Sequence, residues 1–330
     1  MKNLFEAFIK AIAVLIDEKS KQTGGHIQRV TELCMMIAQK LNQDAKIFKT
    51  TTLSSDQMDE LRIAALMHDT GKITTPDHII NKPTRLETVH DRIELIETRW
   101  ELFKTNQKLL AAQKKLALFD QSLKQKEIIK INNDCNDKID RLEKELKTIS
   151  CINSNKGVLD HSLVDQLKII YAKSEPISGR QLSYLTENEF ENLCIRQGTL
   201  TSDERDIINS HASLTEKTLN KLPWPKKLVN IPFIAGAHHE KLDGSGYPLK
   251  LTKENLNIQA RILAIADIFE ALSAQDRPYK NSMKLSQIVM ILEQMGGKGL
   301  LDNDIIQLFF KSKLHLEYAK KHLTLSQIDL

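Results

Sequence analysis

Four of the ten histidines in this 330-residue chain stand where an aliphatic side chain would be expected. His26, His68, His211 and His238 each continue an apolar helical stripe at i+3, i+4 or i+7 spacing. His239 adjoins the last of them, and Asp69 and Asp267 complete the set. Imidazoles and carboxylates that face a helical core are costly unless something compensates them. A metal centre is the natural compensation. Nitrogen and oxygen donors suit first-row transition metals such as Fe, Mn, Zn or Ni, and the absence of thiolates argues against a structural zinc site. Taken singly, a histidine on an apolar face is more often a hydrogen-bonded core residue, and a His-Asp or His-His dipeptide arises often by chance. The ordered combination carries the reading. His78, His90, His161, His315 and His322 read as surface or solvated residues.

Helices must position this set. Phe5, Phe8, Ile9, Ile12 and Ile16 give a first amphipathic helix, which Gly24-Gly25 ends. A second helix carries His26, Val30, Leu33 and Ile37 on one face, and a third, over 56–69, carries Leu61, Ala64, Ala65 and His68. Thr201-Ser202-Asp203-Glu204 fits a capping box and opens a helix bearing Ile207, His211 and Leu214. Ile231, Ile234 and His238 share the face of another helix, and Ala260, Leu263 and Asp267 that of the next. Between the last two lies a turn-rich loop, Asp243-Gly244-Ser245-Gly246-Tyr247-Pro248. Residues 86–147 contain no Gly or Pro and are dense in Lys, Glu, Gln, Leu and Ile, which predicts two long helices in an antiparallel hairpin with a break between Phe119 and Lys126. Residues 175–179 read as a loop, 286–318 as amphipathic helix, and no stretch alternates like a strand.

Composition narrows the class. With 47 Lys and Arg against 43 Asp and Glu, the formal charge is +4, too mild and too scattered for a nucleic-acid coating protein. Hydrophobic residues at 41% support a sizeable core, while 12 Gly and 8 Pro argue for long helices over a turn-rich β fold. Cys34, Cys135, Cys151 and Cys194 form no CxxC pair and suit a reducing, cytoplasmic compartment. Neither a signal peptide nor a membrane span is expected, and the chain could be the output part of a longer sensor.

His68-Asp69-Thr70-Gly71-Lys72 resembles the HDxGK signature of the HD superfamily of metal-dependent phosphohydrolases. The run from His238-His239-Glu240 to Asp243-Gly244-Ser245-Gly246-Tyr247-Pro248 resembles the HHExxDGxGYP signature of its HD-GYP subfamily, and Asp267 and Asp276-Arg277-Pro278-Tyr279-Lys280 continue the pattern. The likeness covers residues 17–83 and 200–310. It implies an all-α, HD-superfamily helical bundle, with one catalytic domain over 1–330 and a long inserted helical hairpin over 84–198. It implies that His26, His68, Asp69 and Asp267 surround one metal. Asp69 would bridge to a second, held by His211, His238 and His239. Fe or Mn is expected first, with Zn, Ni or Co as alternatives. Some members hold a third metal through a Glu four residues before the first His; Gln22 stands there in this chain, which favours two. The resemblance further implies that Lys72 lies near the phosphate and nucleophile, and that Tyr247, Arg277 and Lys280 lie along a dinucleotide.

The expected activity is hydrolysis of cyclic di-GMP to the linear dinucleotide 5′-phosphoguanylyl-guanosine, with a further cut to GMP left open. The alternatives are an HD-type phosphohydrolase for another cyclic dinucleotide or nucleotide, and a non-catalytic binding or scaffold module. Two metals roughly 3.5–4 Å apart suit in-line phosphodiester cleavage, because they lower the pKa of water and stabilise phosphoryl charge. Arg85 and Arg92 read as solvated. The insertion is expected to serve a homodimer or a signalling partner, with an apolar surface to spare if Trp100 and Phe103 both face outward.

Overall fold

The computed structural model describes residues 2–19, 25–44, 48, 52–118, 125–155, 157–274 and 283–330. Gln22, Arg277 and Lys280 lie outside them. The chain divides into two compact units, one formed by Met1–Asn81 with Asp206–Leu330 and the other by Lys82–Arg205. Among the described residues the structure is helical apart from one two-stranded ribbon, and no helix is long and apolar enough to cross a membrane.

The discontinuous unit opens with α1 (Lys2–Lys19), α2 (His26–Gln43), α3 (Ser55–Met67) and the short α4 (Asp77–Ile80). Ser54 starts α3 through a capping box with Gln57. Val30, Leu33, Ile37 and Leu41 of α2 are fully buried, as are Leu61, Ala64 and Ala65 of α3, so the spacing that predicted these helices also chose their inner faces. The expected stripe of α1 is narrower than its sequence: Ile9, Ala13 and Ile16 go inward, whereas Phe8 is 61% exposed and Phe5 lies edge-on to Trp224.

The second unit comprises α5 (Ile93–Ala117), α6 (Gln125–Ser154), α7 (His161–Tyr171), β1 (Ser174–Ile177), β2 (Arg180–Ser183) and α8 (Glu187–Leu193). α5 and α6 run antiparallel, since Trp100 Nε1 donates to the Leu142 carbonyl at 3.0 Å and Lys138 Nζ to Gln107 Oε1 at 3.2 Å. Trp100 and Phe103 are not outward. Both are fully buried, with Tyr184 against their rings, in a core completed by Ile149, Leu167 and Leu193. Arg85 is not solvated either. It is fully buried and donates to the carbonyls of Ile152, Asn155 and Ile195, so a cation meets the orphan carbonyls at the end of α6. Arg92 is half-buried and donates to the Leu86 carbonyl at 2.9 Å. The segment read as a loop over 175–179 is instead half of an antiparallel ribbon, β1 with β2, turning through Ser178 (φ 49°) and Gly179 (φ 79°). Two residues at positive φ make the tight hairpin turn that matches strand twist. Strands of four residues, one containing Pro176, carry too little alternation to be seen.

α9 (Ser202–Leu219) begins in the second unit and continues into the first, and Thr201 and Glu204 cap it reciprocally at 2.8 and 3.2 Å. The first unit then adds α10 (Ile231–Gly236), α11 (Ile258–Ser273), α12 (Leu285–Gly297), α13 (Asn303–Lys311) and α14 (Leu314–His322). α11 packs against α2, α3, α10 and α12, and Ile262, Leu263, Ile265, Ala266 and Phe269 are buried on several of its sides. A helix apolar nearly all round belongs at the centre of its unit, so a carboxylate on it is buried by position. His315 corrects its surface reading: it is buried against Phe309 and Phe310.

Candidate metal centre

The first unit brings the seven expected ligands together from five places. His26 opens α2, His68 caps α3 with Asp69 next to it, His211 lies within α9, His238 and His239 follow α10, and Asp267 lies within α11. His68, His238 and His239 therefore stand just past helix ends, where the chain can turn its rings away from the helix axis. His26, His68, His211, His238, Asp69 and Asp267 are all buried.

One pattern orients three of the rings. Nδ1 of His68, His211 and His238 each donates to the carbonyl three residues earlier, at 2.7 Å to Ala65, 2.6 Å to Ile208 and 2.7 Å to Ala235. The proton is thereby fixed on Nδ1 and the lone pair on Nε2. Those Nε2 atoms converge on Asp69. Its Oδ2 lies 3.5 Å from His68 Nε2 and 3.7 Å from His26 Nε2, and its Oδ1 lies 3.4 Å from His211 Nε2 and 4.0 Å from His238 Nε2. Asp267 Oδ1 faces the first pair, 3.4 Å from His26 Nε2 and 3.7 Å from His68 Nε2. His239 joins the second group, its ring 5.0 Å from that of His211 and 4.0 Å from that of His238. His211, His238 and His239 can turn one donor atom each to a common point, and so can His26, His68 and Asp69.

This arrangement fits metal ions on its own chemistry. Nε2 of His211 and Nε2 of His238 are 3.2 Å apart, and both rings already hold their proton on Nδ1. Two lone pairs face each other, a contact that a shared cation relieves. His68 Nε2 is buried and has no hydrogen-bond partner among the described residues. Burial keeps the second group neutral, as ligands must be: it lowers the pKa of His211, pushes that of His238 well down, and brings His239 to about 4. His26 behaves differently. Burial alone would lower its pKa, but hydrogen bonds to Asp267 and Glu270 raise it to about 10. A metal at that ring competes with a proton. Burial opposes ionisation of Asp69, yet Lys72 and the surrounding histidines hold its carboxyl well below the usual range. For Asp267, the hydrogen bond from His26 likewise outweighs burial and lowers the pKa.

Lys72 lies in the 3₁₀ turn Thr70–Thr74, with Nζ 2.6 Å from Asp69 Oδ2. Gly71 makes this turn fit: a Cβ there would sit 2.0 Å from the His211 carbonyl oxygen. Thr215 locks the same approach, accepting from Gly71 N and donating to the His68 carbonyl, both at 2.9 Å. Tyr247 lies beside the second group, its ring 4.8 Å from that of His239.

Sequence reasoning missed three supporting residues. Glu270, one turn after Asp267 on α11, accepts from His26 Nδ1 and from Arg29 Nε, the latter at 2.6 Å. Its spacing from Asp267 puts it one turn further on, but only the central position of α11 shows that it is buried. Glu240 is buried and accepts from Leu249 N at 2.6 Å and Leu251 N at 2.9 Å, clamping the Tyr247 loop. Thr215, at i+4 from His211, had no sequence signal.

An HD domain family model matches residues 23–150, and a second, also described as HD domain, matches residues 188–305. The chain belongs to the HD domain family and is of its HD-GYP type. It is 41% identical over 99 residues to a protein of Vibrio cholerae serotype O1 named 3'3'-cGAMP-specific phosphodiesterase 3, an overlap of 30% of this chain and 21% of the relative. It is 34% identical over 122 residues to 3'3'-cGAMP-specific phosphodiesterase 1 of the same organism, covering 37% and 27% of the two chains. A protein of Thermotoga maritima named cyclic di-GMP phosphodiesterase is 32% identical over 121 residues, covering 37% and 32%. The chain spans between a fifth and a third of the length of these curated relatives.

Proposed function

We propose that the chain is a metal-dependent phosphodiesterase that opens cyclic di-GMP to linear 5′-phosphoguanylyl-guanosine. The observation that carries this is Asp69, whose two oxygens face two separate histidine groups, as a carboxylate shared by two cations must. His26, His68 and Asp267 would complete one position and His211, His238 and His239 the other, with Fe or Mn the first candidates. Two cations so held lower the pKa of water and offset charge on phosphoryl oxygens.

The side chains supply the rest. Burial would strip Lys72 of its proton, but Asp69 raises its pKa, so it enters as a cation beside the ligand carboxylate, placed to offset charge developing on the phosphoryl group. Tyr247 offers a ring face beside His239, on a loop that Glu240 clamps. Arg277 and Lys280 would extend the dinucleotide site; they fall in the segment outside the described residues. Water adds to phosphorus, the bond to the 3′-oxygen breaks, and that oxygen leaves protonated.

A second substrate has its own support. Two of the relatives reported above are named for 3'3'-cGAMP, so the mixed dinucleotide belongs in the same assay. A purely scaffolding role is disfavoured because every expected ligand is present. The test compares wild type, Asp69→Ala and Lys72→Ala for bound metal and for turnover of both dinucleotides. Wild type should hold about two ions per chain and turn over. Asp69→Ala should lose metal and activity together, while Lys72→Ala should keep its metal and lose turnover by about 100-fold or more. A wild type that takes up no metal on anaerobic reconstitution, or full turnover by Lys72→Ala, would overturn the assignment.

A further inference from the structure

α5 carries two apolar stripes on opposite faces. The inner one, Ile96, Trp100, Phe103 and Ala111, is buried in the core of the second unit. The outer one repeats leucine every seven residues: Leu95, Leu102, Leu109 and Leu116 are 50%, 44%, 54% and 74% exposed. Thr98, Thr105 and Ala112 lie between them and are exposed as well. The alternation of three and four is that of the a and d positions of a coiled coil, held over three heptads. At about 100° per residue the outer stripe lies roughly half a turn from the inner one. A helix that covers one core needs only one apolar stripe. Among the described residues of the second unit, nothing covers the other stripe.

We propose that this outer face of α5 is a self-complementary seam through which two copies of the chain pair as an antiparallel helix dimer. The charges beside the stripe select the occupant. The residue before each leucine is Glu94, Glu101, Lys108 and Lys115 in turn, acidic in the first half of the helix and basic in the second. A two-fold axis between Phe103 and Lys104 sets Glu101 beside Lys108 of the other copy and Glu94 beside its Lys115. Each pair occurs twice by symmetry, and all are attractive. The same axis sets Leu102 opposite Thr105, Leu95 opposite Ala112 and Leu109 opposite Thr98, so each of these layers joins a large residue to a small one, and Leu116 lies beyond the paired span. A parallel pair would put the charged row beside Arg99, Asn106 and Gln113 instead. Only Arg99 could answer it, and Arg99 is already held by Glu189 at 2.8 and 3.1 Å. Glu101 meets Lys104 on its own helix, and Lys104 has Glu143 within 3.9 Å as another partner. Thr98 is compatible with a dry seam because its hydroxyl donates to the Glu94 carbonyl at 2.9 Å.

This inference is independent of the phosphodiesterase reading, and its test needs neither metal nor dinucleotide. Sedimentation equilibrium of the full chain should give twice the 37.7 kDa of one copy. Leu102→Glu combined with Leu109→Glu should give monomers with unchanged helix content. Glu101→Lys should weaken the dimer by about tenfold, since the two-fold repeats the clash at two places. Adding Lys108→Glu to it should restore the affinity to within about threefold of wild type, because the same pairs are rebuilt with signs exchanged. Monomeric wild type would overturn the proposal and assign the stripe to a different protein. A dimer indifferent to the leucine substitutions would place the interface elsewhere, and failure of the charge exchange to rescue would exclude the antiparallel register.

Discussion

At the scale of single residues, the site depends on atoms that carry no chemistry as much as on those that do. Gly71 stands between Asp69 and Lys72, and its hydrogen faces the His211 carbonyl where a methyl would lie 2.0 Å away. Gly71→Ala should push α9 from the 3₁₀ turn and separate His211 from Asp69. The expected outcome is a protein destabilised by about 1–3 kcal/mol, the usual cost of overpacking, that binds metal at the His26 group more tightly than at the His211 group. Metal titration with urea unfolding of the same sample checks both. Four of the candidate ligands, His26, His68, His211 and His238, stood out in the sequence because each interrupts an apolar stripe. Glu270 was not, because a second carboxylate on a predicted helix reads as a solvated face until the helix proves to be central. Arg85 and His315 were misread for a related reason: sequence spacing shows which residues share a face, not which face a neighbouring loop will cover.

At the scale of elements, α2 and α11 are joined by a buried carboxylate that is not among the expected ligands. Glu270 takes the His26 Nδ1 proton and the Arg29 guanidinium, and these outweigh burial to lower its pKa. It fixes the ring whose Nε2 faces Asp69 and Asp267. Glu270→Gln keeps the shape but loses the charge, and should weaken metal at the His26 group by about 10- to 100-fold while leaving the His211 group loaded. Competition with a chelator, followed by elemental analysis, separates the two. Helix positions were legible where a cap was read, as at Thr201 and Glu204; the box of Ser54 with Gln57 emerges from the structure. The β1–β2 ribbon was not, since it depends on a two-residue turn at Ser178-Gly179 more than on alternation.

At the scale of the molecule, each unit has its own core and one tryptophan, Trp224 in the first and Trp100 in the second. Glu189 links α8 to α5 in the second unit through Arg99, and also caps α8 by accepting from Thr186 N. Burial would raise its pKa, but Arg99 and the Thr186 amide lower it below the usual 4.5. A carboxyl depressed on folding stabilises above its unfolded pKa, and that contribution fades as pH falls through the folded value. Glu189→Gln should therefore cost about 1–3 kcal/mol at pH 7 and much less near pH 3. Urea unfolding of a Trp224→Phe background, read by Trp100 fluorescence at both pH values, checks the sign. An equal loss at both would mean that packing, not charge, holds α8.

The ends of the second unit also meet. Lys82 Nζ, with no exposed side-chain surface, lies 2.8 and 2.9 Å from the Glu204 oxygens, and Thr199 donates to the Lys82 carbonyl at 2.9 Å. This bears on the order in which the chain is built. His26, His68 and Asp69 precede the second unit in the chain and the remaining candidate ligands follow it, so the two halves of the candidate site are made with that whole unit between them. A folded second unit with its ends pinned is, to the flanking segments, a short connector, and closing the ring from Asp69 to His211 then escapes the extra cost of about 0.6 kcal/mol per doubling of a flexible loop. A second unit that folds first would act as a clasp, bringing the two halves of the candidate site within easier reach of each other.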